Sequence, residues 1–298
     1  MKHVIIGSRG SDLALWQAHF VEAELKKLGC SVEIKIIKTQ GDIIQHLSFD
    51  KIEGKGFFTK EIEAALLSKE IDLAVHSHKD LETNPPSGLS IACVSDRAHP
   101  SDLLLIRKES VDLTKKWSLK ESAVVGTSSA RRKSQLLTLR SDLTTDDLRG
   151  NVPTRIDKLR KGNYDAIILA KAGVDRLELD LSEFEVTVFN PKEFIPAPAQ
   201  GVLGLQIRED DLKLHEVLQN MNNAEVQKRI GLERKVLNLL DGGCQLPLGV
   251  YCTEEDELFV AFANSANEPS TFLKYAVSNY ETMAETVISD LNAAKASV

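Results

Sequence analysis

Val4-Ile5-Ile6-Gly7-Ser8-Arg9-Gly10-Ser11-Asp12-Leu13 begins with an apolar run, passes through a short polar turn, and enters an amphipathic stretch that continues to Leu28. The short apolar run reads as a strand and the stretch after it as a helix with one apolar face. Ser11 or Asp12 caps that helix, because a short oxygen side chain there satisfies a free backbone N–H. Arg9 then stands in the turn between strand and helix, where open α/β sheets meet their ligands.

The alternation continues outward. Val32 to Ile37 is a strand, Thr59 to Leu67 a helix and Leu73 to His76 a strand, which predicts helices layered over a largely parallel sheet. A second block, Asp102 to Asn190, has strands at Leu103 to Ile106, Ala123 to Val125, Ala166 to Leu169 and Val186 to Phe189. Pro191 to Gln200 is a connection rich in Pro and Ala, and Gly201 to Ile207 is one more strand. From Asp211 onward come helices, strands near Val250 to Cys252, Leu258 to Phe262 and Phe272 to Val277, and a closing helix at Glu281 to Ala294. The blocks predict two α/β lobes with a ligand held between them, plus a smaller C-terminal domain. Gly41 to Gly56, followed by Phe57 and Phe58, has weak periodicity with glycine hinges and reads as a lid over a cleft.

The net charge is −7 at pH 7, yet two basic motifs stand close together: Gly126-Thr127-Ser128-Ser129-Ala130-Arg131-Arg132 and Leu148-Arg149-Gly150-Asn151-Val152-Pro153-Thr154-Arg155. A local basic cluster in an acidic protein points to a small, strongly anionic ligand. The first motif opens a helix-like stretch, Ser129 to Leu139, and so combines backbone N–H groups, hydroxyls and guanidinium forks at a helix N-terminus. The bland alternative is a solvated basic face. A nucleic-acid surface is disfavoured by the acidic total, the interleaved Asp142, Asp146 and Asp147, and an aromatic content of 5%. No phosphate-binding loop or dinucleotide fingerprint is present. No signal peptide or membrane span is recognisable, which predicts a cytoplasmic protein.

Of the four cysteines, Cys30 and Cys93 adjoin apolar runs, whereas Cys244 lies in the glycine loop Asp241-Gly242-Gly243-Cys244-Gln245 and reads as an accessible thiol. In Val75-His76-Ser77-His78-Lys79-Asp80 two imidazoles precede a carboxylate. No second pair of ligands accompanies them, so no metal site is expected. Asp80, at the end of a strand, is placed to meet a ligand, and a surface ion pair with Lys79 or an arginine is its alternative.

Arg9 through Ala18, Gly54-Lys55-Gly56-Phe57-Phe58-Thr59-Lys60-Glu61, His76 through Asp80, both arginine motifs, Asp165 through Ala170, Gln200-Gly201 and Gly242-Gly243-Cys244 together resemble the porphobilinogen deaminase (hydroxymethylbilane synthase) family, in the family's order. The resemblance implies a transferase of tetrapyrrole (haem) biosynthesis that joins four porphobilinogen molecules head to tail into hydroxymethylbilane, releasing ammonia. It implies two lobes of the periplasmic-binding-protein type, 1–95 with 197–214 and 100–190, and a small C-terminal α/β domain over 218–298. A dipyrromethane cofactor is expected on Cys244 through a thioether, its carboxylates held by Lys79, Thr127, Ser128, Ser129, Arg131 and Arg132. Arg9, Ser11, Gln17, Arg149, Arg155, Arg176 and Gln200 are expected to bind substrate, Lys55 and Phe58 to belong to the lid, and Asp80 to be the catalytic carboxylate. The expected protein is a monomer acting on a small molecule, without nucleic acid, membrane or metal.

The chain departs from the family pattern at four places. His78 replaces a methionine or similar apolar residue, Leu81-Glu82 stands where a residue followed by proline is usual, Ser101 replaces a frequent arginine, and Ala199 a frequent glycine. The rival reading is a solute-binding or effector-sensing module of similar shape, which needs neither Asp80 nor Cys244.

Overall fold

In the computed structural model, which describes residues 2–39, 59–241, 243 and 245–296, the opening stretch forms strand β1 (His3–Ser8) and helix α1 (Asp12–Lys27). Helix α1 buries Gln17, Ala18, Val21 and Leu25, a row at helical spacing. Ser11 is its N-cap residue, although the hydroxyl makes no capping bond, and Asp12 lies in the first turn where the helix dipole favours a carboxylate. Strand β2 (Ser31–Ile36), helix α2 (Lys60–Leu67), β3 (Leu73–Ser77) and β4 (Leu89–Val94) follow. The second block contains β5 (Asp102–Arg107), β6 (Val124–Gly126), α3 (Ala130–Leu139), β7 (Thr144–Asp146), α4 (Val152–Arg160), β8 (Ala166–Ala170), α5 (Lys171–Arg176) and β9 (Phe184–Val188). After it come β10 (Leu203–Arg208), α6 (Leu212–Gln219), α7 (Ala224–Leu239), β11 (Leu248–Cys252), β12 (Glu257–Phe262), β13 (Thr271–Ala276) and α8 (Met283–Ala296).

The fold is mixed α/β, and its two five-stranded sheets have orders β2-β1-β3-β10-β4 and β7-β6-β8-β5-β9. In the first, β10 runs antiparallel to both β3 and β4 while β1 pairs in parallel with β2 and β3. In the second, β5 runs antiparallel to β8 and β9 while β6 pairs in parallel with β7 and β8. Each sheet therefore has one reversed strand, in fourth place. The other four strands of each sheet share one direction, in keeping with the expected largely parallel sheet; the reversed strand could not be told from the rest, because the apolar pattern of a buried strand is the same whichever way it runs.

Chain contacts divide the molecule into two compact units, Met1–Ala98 with Gly201–Lys228, and His99–Gln200 with Arg229–Val298. In the first unit Val4, Ile6, Leu73 and Leu205 pack with Val21 and Leu25 of α1 and with Leu214 and Leu218 of α6. The opposite face of the sheet, at Ala74, packs with Ile62 and Leu66 of α2. Each fully buried leucine or isoleucine here stabilises the fold by about 2 kcal/mol. In the second unit Leu136 of α3 covers Leu104, Val125 and Ile168, and Ile156 and Leu159 of α4 cover Leu105, Ile167 and Leu169.

The antiparallel sheet β11-β12-β13 has its own core with Val236 of α7 and Val287 and Leu291 of α8. Because α3 also packs on β11 and β12, this C-terminal domain shares a unit with the second lobe. Strand β9 lies two residues earlier at its start than the pattern Val186 to Phe189 suggests. Val186 and Val188 point outward at 38% and 45% exposure, while Phe189 leaves the strand to pack against Phe194 with ring centroids 4.4 Å apart.

Candidate active site

Both lobes put many of their expected site residues at one kind of place, the carboxyl ends of neighbouring parallel strands. In the first lobe Arg9 and Ser11 follow β1, and a single helical turn, His78–Asp80, follows β3. In the second, Thr127, Ser128 and Ser129 follow β6, Arg149 to Arg155 follow β7, and α5 with Arg176 follows β8. Open α/β sheets leave a ligand-accepting crevice at this edge.

Asp80 is exposed and makes no hydrogen bond or ion pair among the described residues, so its carboxylate is available to a ligand. The turn beneath it is firmly held. Gln17, buried in α1, donates from Nε2 to Ser77 Oγ at 2.9 Å. That amide is the strand's anchor, which is a different position from the ligand contact expected of it. His78 is buried and its backbone N–H donates to the Val202 carbonyl at 2.9 Å. Lys79, Arg9 and Ser11 are half-buried. His76 lies inside the sheet with Nε2 3.0 Å from Gln206 Oε1, and burial pushes its pKa down to about 4, so the ring is neutral near pH 7. Among the described residues no three His, Cys, Asp or Glu side chains gather where they could hold a metal ion.

In the second lobe the loops after β6 and β7 are joined through Ser128, whose hydroxyl donates to the Leu148 carbonyl and accepts from the Leu148 N–H, both at 3.0 Å. Thr127 is buried and its Oγ1 accepts from the Ser129 N–H, and Ser129 is the N-cap of α3. Asn151 caps α4 by accepting from the Thr154 N–H at 2.9 Å. Arg155 is held by a bond from Nε to the Gly150 carbonyl at 2.7 Å. Arg149, Arg155 and Arg176 are half-buried, and burial lowers Arg176 to about 10, which leaves it charged at neutral pH.

Arg131 and Arg132 are not the open forks that the motif suggests. Their side chains are 5% and 8% exposed, and they reach the two oxygens of a fully buried Asp102 at 2.8 and 2.7 Å. Arg131 also donates to the Ile195 carbonyl and Arg132 to that of Ile168. Burial pulls the Arg131 guanidinium down and the Asp102 charge pulls it back up. Arg132 Nε is the exception, a buried donor with no hydrogen-bond partner among the described residues. Gln200, expected to touch substrate, is 1% exposed and donates to the Pro100 carbonyl at 2.7 Å and to Asp102 at 3.0 Å.

Asp102 is thus the organising residue that sequence reasoning missed. The only signal was an acid opening an otherwise apolar strand, Leu103 to Ile106, which is costly unless the acid is paired. Lys55 and Phe58 of the expected lid, and Cys244, lie outside the described residues.

Residues 4–216 match the family model described as "Porphobilinogen deaminase, dipyromethane cofactor binding domain". Porphobilinogen deaminase of Nitratidesulfovibrio vulgaris strain DP4 is 47% identical over 252 residues, covering 83% of this chain and 78% of that protein. Porphobilinogen deaminase of Bacillus thuringiensis strain Al Hakam is 42% identical over 281 residues, covering 93% and 89%. Among solved structures, the periplasmic VFT2 domain of Bordetella pertussis BvgS aligns with a TM-score of 0.44 at 13% identity, covering 78% of this chain and 93% of that one.

Proposed function

Since this chain belongs to the porphobilinogen deaminase family, we propose that Asp80 is the catalytic carboxylate of the family's reaction and Cys244 the tether of its cofactor. The enzyme is a transferase that joins four porphobilinogen molecules head to tail into hydroxymethylbilane, releasing one ammonia at each condensation. The reading as an anion-binding module without chemistry is not favoured. The exposed Asp80 at the carboxyl edge of the first sheet is the observation that carries the catalytic assignment. As ammonia leaves the aminomethyl group of porphobilinogen, positive charge develops on the pyrrole, and a fixed carboxylate lowers the energy of that charge and relays protons.

The dipyrromethane cofactor supplies the free pyrrole carbon to which the first substrate unit is joined. The second lobe suits a group rich in carboxylates. Arg132 Nε is a buried donor lacking a partner among the described residues, and Thr127, Ser128 and Ser129 stand at the positive end of α3. Arg131 stiffens this corner through Asp102. Arg149, Arg155 and Arg176 receive the carboxylates of porphobilinogen and of the lengthening product.

Cys30, Cys93 and Cys252 are buried, and burial pushes the Cys93 thiol up to about 12 and that of Cys252 up to about 11. The Cys93 and Cys252 thiols therefore supply little thiolate near neutral pH, and Cys30 is shielded by burial, which supports Cys244 as the tether. The reading also makes the protein a cytoplasmic monomer acting on a small molecule.

The test is the intact mass of denatured wild type beside Cys244→Ser, with ammonia release measured on both after incubation with porphobilinogen. A mass excess of two linked pyrroles in wild type alone is expected. Equal masses after incubation would remove Cys244 as the tether.

A further inference from the structure

The first lobe contains a buried polar chain that the reaction as described does not use. His76 Nε2 lies 3.0 Å from Gln206 Oε1, and Gln206 Nε2 donates to Glu63 Oε1 at 3.2 Å. The residues come from β3, β10 and α2 and are 7%, 1% and 8% exposed. The amide fixes the direction of the chain: its oxygen accepts from His76, whose Nε2 carries hydrogen, and its nitrogen donates to the Glu63 carboxyl. Breaking one link leaves a buried polar group unsatisfied, so the chain specifies a single arrangement of the three elements.

Its position is what matters. The last two residues of β3 are anchored from opposite faces of the sheet, Ser77 by Gln17 of α1 and His76 through Gln206 by Glu63 of α2. The turn bearing Asp80 starts at the next residue, His78, whose ring lies over Gly204 two residues before Gln206: a Cβ on Gly204 would stand 3.0 Å from His78 Cδ2. Anchors on both faces leave the turn little freedom to tilt.

We infer that Glu63 is a positioning residue for Asp80, acting through Gln206 and His76 to fix the end of β3. The inference rests on the catalytic role of Asp80. The Thr59 hydroxyl, the Lys60 ammonium and the Glu82 carboxylate act on Glu63, and burial raises its pKa above the usual carboxylate range. His78 is the titratable neighbour at the other end of the chain.

Four variants test this, with kcat referred to the fraction of chain carrying cofactor by intact mass. Asp80→Asn is expected to lose at least about a hundredfold in kcat. Glu63→Leu is expected to lose about tenfold in kcat with KM within about twofold, the signature of a displaced catalytic group. Glu63→Gln keeps an acceptor oxygen for Gln206 and recovers to within about threefold of wild type. Gln206→Glu is isosteric and sets two carboxyls side by side that must share a proton, which gives kcat a pH dependence absent from wild type. A folded Glu63→Leu with wild-type kcat would overturn the inference. If that variant does not fold, a wild-type pH profile in Gln206→Glu would do so. Wild-type turnover by Asp80→Asn would remove the catalytic reading itself, and with it the positioning role.

Discussion

In the first lobe the carboxylate at the ligand-accepting edge of the sheet, Asp80, is exposed. In the second lobe the carboxylate at the same edge, Asp102 at the start of reversed strand β5, is fully buried and accepts from Arg131, Arg132 and Gln200. The sheets share one arrangement of strand directions, each with its fourth strand reversed, so the difference lies in what packs around each acid. An acid surrounded by donors organises structure. An acid left open is available to stabilise a charge that appears only during reaction.

The comparison fails if Asp80 and Asp102 respond alike to mutation. Asp80→Asn should lose about 10² to 10⁴ in turnover with no change in the urea midpoint, because no bond to that carboxylate is made among the described residues. Asp102→Asn should lower unfolding free energy by about 3–5 kcal/mol, since two buried guanidinium groups lose their counter-charge. It should also reduce cofactor loading by releasing Arg132 from its place. A stable Asp102→Asn protein would show that the buried cluster is not what organises the second lobe.

Acid sharpens the contrast. His76 is neutral when folded and its folded value, about 4, lies below its ordinary value of 6.5. Stability from this group is complete above about pH 6.5 and is lost as pH falls toward 4, by up to about 3 kcal/mol. Glu63, raised in the folded state, offsets part of that loss. In the second unit Asp142, bonded to Arg140, and Glu257, bonded to Lys192 and Lys274, are lowered to about 2. Their contribution is present above about pH 4 and lost as pH falls toward 2. Hydrogen exchange by segment at pH 7, 5 and 3 should therefore show the first sheet opening before the second, and simultaneous opening would count against the assignment.

The smallest effect expected is from Ala199→Gly. Ala199 holds a left-handed φ of 60° just before Gln200, a conformation costing a residue with a side chain about 1 kcal/mol. The variant should raise the melting temperature by a few degrees, about the shift such a free energy gives. No gain would mean that the turn relaxes elsewhere.

The local elements were legible from sequence because α1 and the buried strands carry their periodicity in consecutive residues. The families of loops at the sheet edges were legible too, through the motifs at Thr127 to Arg132 and Arg149 to Arg155. Pairings across long separations were not. Nothing near Arg131 announces Asp102, 29 residues earlier, and Gln200 lies 98 residues beyond that acid. His76 looked like a strand-end imidazole because its partner, Gln206, is 130 residues away. The reversed direction of β10 was hidden for the same reason, since residue pattern records burial and not polarity.

That reversed strand bears on the order in which the molecule is made. Strand β10 lies between β3 and β4, yet it is encoded after every strand of the second sheet. On the ribosome, residues as far as Val188 emerge first and supply all five strands of the second sheet, while β3 and β4 wait with unpaired edges for Leu203–Arg208. The first sheet, though begun first, is therefore completed after the second, and nascent chains stalled before residue 208 should engage chaperones through those open edges.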